Sequence, residues 1–359
     1  MTNKPKIIVL HPFPTSWGFI IDASRMGFEI WATDPAQLRL PDEIKDLIYG
    51  FLEKPLNNVM ALSDEISNLS DIKMFYPGSE MAVVAAAELS EKFNLPGNPV
   101  GVARKTRYKD LMRNMLQEIV PENNPKFAII YGESDLKKAA KNIGFPSVFK
   151  RTDFAGSYGI SLVNDFRDLE RCFGLQSSLS ELPFGESNRR IFLLEELIVG
   201  QEYSIESMTF DGSSCIMGVT KKTTSLPPYF IETKHQFPAQ LFGTSVDKIN
   251  AMCDLANILY KSVEFSTCIG HLELRWDENI GKPVIIEIAS RAGGGHIPDL
   301  LRESVGHAAW LPLLKCLRGE LTRPPGIEPR YELRMEAQRK GCLYGEEAIQ
   351  GRGDHPQAA

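Results

Sequence analysis

Apolar residues in this chain gather into short unbroken runs separated by stretches of helix length. Lys6-Ile7-Ile8-Val9-Leu10 and Phe28-Glu29-Ile30-Trp31-Ala32 are of strand length, and the span between them accommodates a helix, so the chain opens as a βαβ unit with helices packed on a parallel sheet. Met74-Phe75-Tyr76-Pro77 predicts another strand, and the alanine-rich stretch from Glu80 to Phe93 a helix. Helical composition returns from Lys105 to Gln117. Lys126 to Ile130 predicts a strand, and Ser134 to Asn142 a helix N-capped by Ser134 and closed by Gly144. Pro146 to Lys150, Phe192 to Ile198 and Tyr203 to Phe210 follow as strands. From Val246 to Phe265 the apolar positions Ile249, Met252, Ala256, Leu259 and Val263 recur at three- and four-residue intervals, the mark of an amphipathic structural helix. Pro298 to Leu317 predicts helix with an interruption at Pro312. Past Gly319 the pattern fades, and Gly351 to Gln357 reads as a frayed tail.

Two late runs carry acids inside apolar sequence: Gly270-His271-Leu272-Glu273-Leu274-Arg275-Trp276 and Val284-Ile285-Ile286-Glu287-Ile288-Ala289. The intervening Asp277 to Pro283 is rich in turn formers, so the pair predicts a β-hairpin that sets Glu273 beside Glu287. A carboxylate among apolar residues is costly to desolvate and needs a cation, and two adjacent carboxylates can anchor magnesium, which keeps water and phosphate as its other ligands. Arg291 and Gly293-Gly294-Gly295 follow at once, adding a fixed charge and free backbone N–H groups. Taken singly, each acid fits a solvated surface hairpin equally well.

Two further segments carry candidate chemistry. Lys150 ends a strand and leads into Ala155-Gly156-Ser157-Tyr158-Gly159, where one ammonium and several N–H groups can face a polyphosphate; a plain hairpin turn is the alternative. Glu195 and Glu202 flank a short connector between strands, where acids and strand backbone can meet amino and hydroxyl donors. A solvated charged turn fits as well.

Composition narrows the classes. With 359 residues, 43% hydrophobic and 24% charged, the chain is globular and long enough for two or three domains. Breaks are expected at the Leu95-Pro96-Gly97-Asn98-Pro99 cluster and near residue 200, giving units 1–100, 101–200 and 201–325 and a short extension 326–359. A net charge of −6 argues against nucleic-acid binding. There is no 18-residue apolar run or signal-peptide pattern, and six scattered cysteines show no metal spacing, so no membrane partner, a reducing cytoplasm and no zinc are expected. The first turn, His11-Pro12-Phe13-Pro14-Thr15, lacks the glycine fingerprint of a dinucleotide site.

Taken in order, these segments resemble the ATP-grasp superfamily of carboxylate–amine ligases over residues 1 to 320. Within it, Gly200-Gln201-Glu202-Tyr203-Ser204-Ile205-Glu206, Thr220-Lys221-Lys222-Thr223, Pro227-Pro228-Tyr229-Phe230-Ile231-Glu232, His271-Leu272-Glu273 and Glu287 to Gly295 are similar to the L-amino acid ligases that make dipeptides, including those of peptide-antibiotic biosynthesis. The resemblance implies an α/β ATP-grasp fold, α+β in its ATP-binding part, behind the N-terminal parallel sheet. It implies that ATP phosphorylates a small-molecule carboxylate and that an amino-acid amine attacks the acyl phosphate. Lys109 and Lys150 would contact ATP, with Lys105 competing for the first of these roles. Gly156, Ser157 and Gly159 would cover the phosphates; Glu195, Glu196 and the backbone of Ile198 would read adenine, and Glu202 the ribose. Glu273 and Glu287 would hold Mg2+, or Mn2+ in its place. Arg291 would stabilise the acyl phosphate, with His296 a further pocket residue, and a homodimer is compatible with the family. Two departures stand out: Ala289 replaces the usual asparagine ligand, and the family's C-terminal lobe is expected to be truncated or absent. The rivals are an ATP-binding regulator without turnover and a ligase of purine or cofactor biosynthesis.

Overall fold

A computed structural model describes residues 4–33, 40–179, 189–225, 230–305 and 309–325. The expected extension 326–359 and the Pro227 to Tyr229 part of one family segment lie outside these. Lys6–Leu10 (β1), Pro14–Arg25 (α1), Glu29–Thr33 (β2), Asp42–Lys45 (α2), Ile48–Leu52 (β3), Val59–Ile66 (α3) and Ile72–Pro77 (β4) build the first layer. Its strands are all parallel, in the order β3-β2-β1-β4. Every residue of β1 is buried, as an unbroken apolar run in a doubly covered sheet demands. The edge strand β3 escaped the sequence reading because Tyr49 and Gly50 break its apolar run. At the carboxyl ends of β1 and β4 the backbones nearly touch: a Cβ on Gly78 would lie 2.5 Å from the His11 carbonyl oxygen. Just beyond it, Ser79 leads into a short 3-10 turn that begins at Glu80.

Val83–Phe93 (α4) ends in left-handed Asn94. The helix expected from Lys105 to Gln117 is instead two, Val100–Arg107 (α5) and Lys109–Ile119 (α6). Tyr108 between them is extended (φ −105°); its ring stacks under the guanidinium of Arg189 at 4.2 Å, and the Lys109 N–H donates to the Thr152 carbonyl at 2.9 Å rather than to a preceding turn.

Phe127–Ile130 (β5), Leu136–Ile143 (α7), Ser147–Arg151 (β6), Ser161–Val163 (β7), Phe166–Ser178 (α8) and Phe192–Glu196 (β8) form a small lobe whose antiparallel sheet runs β5-β8-β6-β7. Ser134 does not cap α7: residues 133–135 form a 3-10 turn, and the Asp135 carboxylate accepts from the N–H groups of Tyr131 and Gly132.

Gly200–Phe210 (β9), Ser213–Thr224 (β10), Glu232–Gln236 (β11), Val246–Ser262 (α9), Cys268–Asp277 (β12) and Lys282–Ala289 (β13) make the large lobe, an antiparallel sheet ordered β11-β10-β9-β12-β13. Met252, Leu255, Ala256 and Leu259 of α9 pack on Ile205, Leu272 and Ile285 of this sheet. Ile297–Val305 (α10) and Leu311–Leu317 (α11) follow, with Pro312 in the first turn of the second. They return to the first layer, where Trp310, Leu313 and Leu314 share one apolar cluster with Phe19, Tyr76, Met208 and Ile269. The N-terminal sheet and the large lobe thus share one core. No helix among the described residues is long and apolar enough to cross a membrane.

Candidate active site

The hairpin of β12 and β13 forms as its residues dictate, and its register places Glu273 directly opposite Glu287. Side chains paired in this way lie on one face of the sheet. Each acid is neutralised at one oxygen. Glu273 Oε1 accepts from the Lys222 ammonium and, at 3.0 Å, from His271 Nε2, while Glu287 Oε2 meets Lys109 Nζ at 2.8 Å. Among the described residues, the second oxygen of each has no donor. Burial would raise the Glu273 carboxyl, but Lys222 and His271 outweigh it and hold it well below the carboxylate range. His271 lies between Glu273 and Glu206, 2.8 Å from its Nδ1. Burial pulls its pKa down, yet the two acids raise it to about 9, so it is an imidazolium donating from both nitrogens.

Behind Glu287 lies a cleft lined by Lys109, Lys150, Phe154, Gly156, Ser157 and Tyr158. Lys109 starts α6 and is buried, whereas Lys105 is exposed on α5; only the former reaches the cleft. In the loop, Gly156, Ser157 and Gly159 all have positive φ, 64°, 60° and 70°. A Cβ at Gly159 would lie 2.7 Å from the Phe154 ring, so glycine is required there for packing as well as for conformation. Lys150 Nζ lies 2.7 Å from Glu195 Oε2. Burial lowers the lysine's pKa, as do Arg113 and Lys109, and Glu195 recovers only part of that loss.

The acidic connector is more internally engaged than its sequence suggested. Both Glu195 oxygens are taken, by Lys150 and by Arg113 at 2.7 and 3.2 Å, so the side chain supports the lysine from below. Burial would raise its carboxyl; Arg113 and Lys150 reverse this and set it at about 2. Glu196 accepts from the Lys126 N–H at 2.8 Å, and the Ile198 carbonyl from Arg275 at 2.9 Å. Arg275 also donates to Glu202 at 3.0 Å, with the Phe230 ring 5.5 Å from its guanidinium. One oxygen each of Glu202, Glu232 and Glu273 lie within 4.8 Å of one another, around the Lys222 ammonium. Lys222 is almost wholly buried, and its acids raise its pKa although burial alone would lower it.

Arg291 donates from Nε to Glu80 and from Nη1 to the Ala292 carbonyl. Two of the three glycines are packed rather than slack: a Cβ at Gly293 would meet the His271 ring at 2.7 Å, and one at Gly295 the His235 ring at 2.4 Å, whereas one at Gly294 would meet nothing. His296, with φ 64°, does not line the cleft behind Glu287; its side chain is 58% exposed and lies 2.9 Å from Asp299.

Arg113, Glu80 and His235, which lies 2.7 Å from Glu232, were not singled out from sequence; Lys222 and Glu232 entered only within segments similar to the ligases. Arg113 follows Lys109 by one helical turn on the same face of α6, a readable signal. Glu80 gave none, because its partner is 211 residues away.

A family match fits this geometry: residues 143–299 match the description "ATP-grasp domain". The chain has the ATP-grasp fold. It is similar to alanine–anticapsin ligase of Bacillus subtilis (strain 168), 25% identical over 312 residues, 80% of this chain and 65% of that relative. Among solved structures it resembles an L-amino acid ligase from Bacillus licheniformis (TM-score 0.72, 22% identity, 92% of this chain and 78% of that one). It also resembles the ADP complex of an N5-carboxyaminoimidazole ribonucleotide synthetase (TM-score 0.74, 14% identity, 92% and 81%). The chain spans less than two thirds of the length of the curated ligases it matches.

Proposed function

We propose that the chain is an ATP-dependent, ADP-forming ligase that joins a carboxylate to the amine of an amino acid through an acyl phosphate, in dipeptide or peptide-antibiotic biosynthesis. One observation carries the reading: Glu287, facing Glu273 across the hairpin, lines the same cleft as Lys109, Lys150 and the glycine loop. Ligases among the relatives supply the substrate class.

The residues divide the work. Lys109, Lys150 and the N–H groups of residues 156–159 hold the polyphosphate, and Glu195 with Arg113 keeps Lys150 aimed. Glu202 lies where a ribose hydroxyl can replace Arg275 as its partner, and the main chain near Ile198 meets the base. The donorless oxygens of Glu273 and Glu287 suit a hard divalent cation, magnesium or manganese, which when bound screens phosphate charge as a second anion approaches. A carboxylate is a poor electrophile because its leaving group would be oxide or hydroxide; moving the γ-phosphoryl group onto its oxygen creates a phosphate leaving group. The amine then adds to the carbonyl, phosphate departs, and the proton lost by nitrogen goes to water or an exposed base such as His296. Arg291 faces the anionic oxygens that develop in both steps. Free amino acids and ATP occur together in the cytoplasm, where we place the enzyme. Light scattering separates a 40.2 kDa monomer from a homodimer.

ADP release over a panel of amino-acid pairs, with products identified by mass, tests the reading. Turnover should need both a carboxylate and an amine, and Glu287→Gln should lower it by about 100-fold or more. Unchanged turnover in that variant removes the metal assignment. A second reading, ATP binding without turnover, is favoured by Ala289 and by the Lys222 ammonium among three carboxylates; MgATP binding with no ADP formed from any pair would establish it.

A further inference from the structure

The N-terminal sheet sends one side chain into this site. Glu80 follows Gly78 and Ser79 at the end of β4, is 6% exposed, and accepts from Arg291 Nε. It lies 3.9 Å from Arg107 as well. Arg291 Nη1 donates to the Ala292 carbonyl at 2.7 Å. Two of the three guanidinium nitrogens are therefore tied to protein, and because the group is planar its orientation is set. Nη2 alone has no protein acceptor among the described residues, and Glu287 and Glu273 are close enough to act on the same guanidinium. The geometry points to Glu80 as a positioning residue: it holds Arg291 so that Nη2 faces the phosphoryl group in flight, which makes the N-terminal domain part of the catalytic apparatus.

Of the two Glu80 oxygens, Oε2 accepts from Arg291 and Oε1 lies 3.9 Å from Arg107, so the bonded oxygen is the one committed to the arginine that follows β13.

This inference rests on the proposed ligase reading, and a double-mutant cycle separates the two. Parent, Glu80→Gln, Arg291→Gln and the double variant are compared in kcat and KM for ATP with the amino-acid pool, and in affinity for aluminium fluoride with MgADP, a mimic of the planar phosphoryl group that needs no turnover. Glu80→Gln should lower kcat and fluoride affinity by about 10- to 100-fold with KM for ATP within about twofold, since a misplaced catalytic group costs that much. In the Arg291→Gln background the same change should alter either quantity by less than about twofold. Glu80→Asp, which keeps the charge but shortens its reach, should fall between and guards against a Gln variant that fails to fold. Equal losses from Glu80→Gln in both backgrounds, or a loss confined to KM, overturn the inference. A parent without turnover whose fluoride cycle is still non-additive refutes the ligase reading and leaves the role of Glu80 standing.

Discussion

Arg113 is fully buried and bonds to Glu195, to the Ile285 and Ile286 carbonyls, and to Asn124, so it ties the small lobe to the hairpin of β12 and β13. Arg113→Met leaves Glu195 with Lys150 alone and should cost about 3–5 kcal/mol, read from urea melts. The trio also sets an acid limit. Glu195 has an ordinary value of 4.5 and a folded value of about 2, so its contribution is present above pH 4.5 and lost as pH falls through 2. Its size is about 3 kcal/mol, and an acid titration followed by circular dichroism should show that loss diminished in Glu195→Gln. The sign is opposite for His271, raised from 6.5 to about 9: its contribution is complete below pH 6.5 and disappears as pH rises through 9. Glu273 and Glu287 were legible in sequence because acids in apolar runs are conspicuous. Lys222 entered only as part of a Thr-Lys-Lys-Thr segment similar to the ligases, and its role showed only when β11 and β12 brought Glu232 and Glu273 to it.

At the scale of elements, strand periodicity and turn chemistry specified the hairpin, and bond partners set its limits. Gly200 starts β9 where a Cβ would fall 1.9 Å from the Trp276 carbonyl oxygen. Gly200→Ala must push β9 away from β12, which shifts Arg275 relative to Glu202 and Ile198; calorimetry with MgADP should show a loss of nucleotide affinity, and urea melts a loss of stability. Helices α5 and α6 were read as one because composition is continuous across Tyr108, and only Thr152 and Arg189, far along the chain, supply the contacts that break it. For the same reason Asp135, rather than Ser134, controls the entry to α7: its carboxylate caps backward onto a turn whose course is set by β5.

For the whole molecule, the shared core is decisive. Phe19 stacks on Tyr76 at 3.8 Å and meets the edge of Trp310 at 6.4 Å, so Trp310 at the start of α11 seals the N-terminal sheet although it lies nearly 300 residues after Phe19. Trp310→Ala should cost about 3–5 kcal/mol, and tryptophan fluorescence and far-ultraviolet circular dichroism should report one coincident transition for both layers; separate transitions would show the core to be divided. Sequence by itself determined the kinds of element, the opening parallel sheet, the acid pair and the lysine with its glycine loop, because periodicity, turn residues and charge burial are local or nearly so. Tertiary structure alone decided which lysine reaches the cleft, that Glu195 supports Lys150 from within, and that Glu80 holds Arg291. Those outcomes depend on which cation lies within about 3 Å of which acid, a distance that hydrogen bonding demands and that no spacing along the chain encodes.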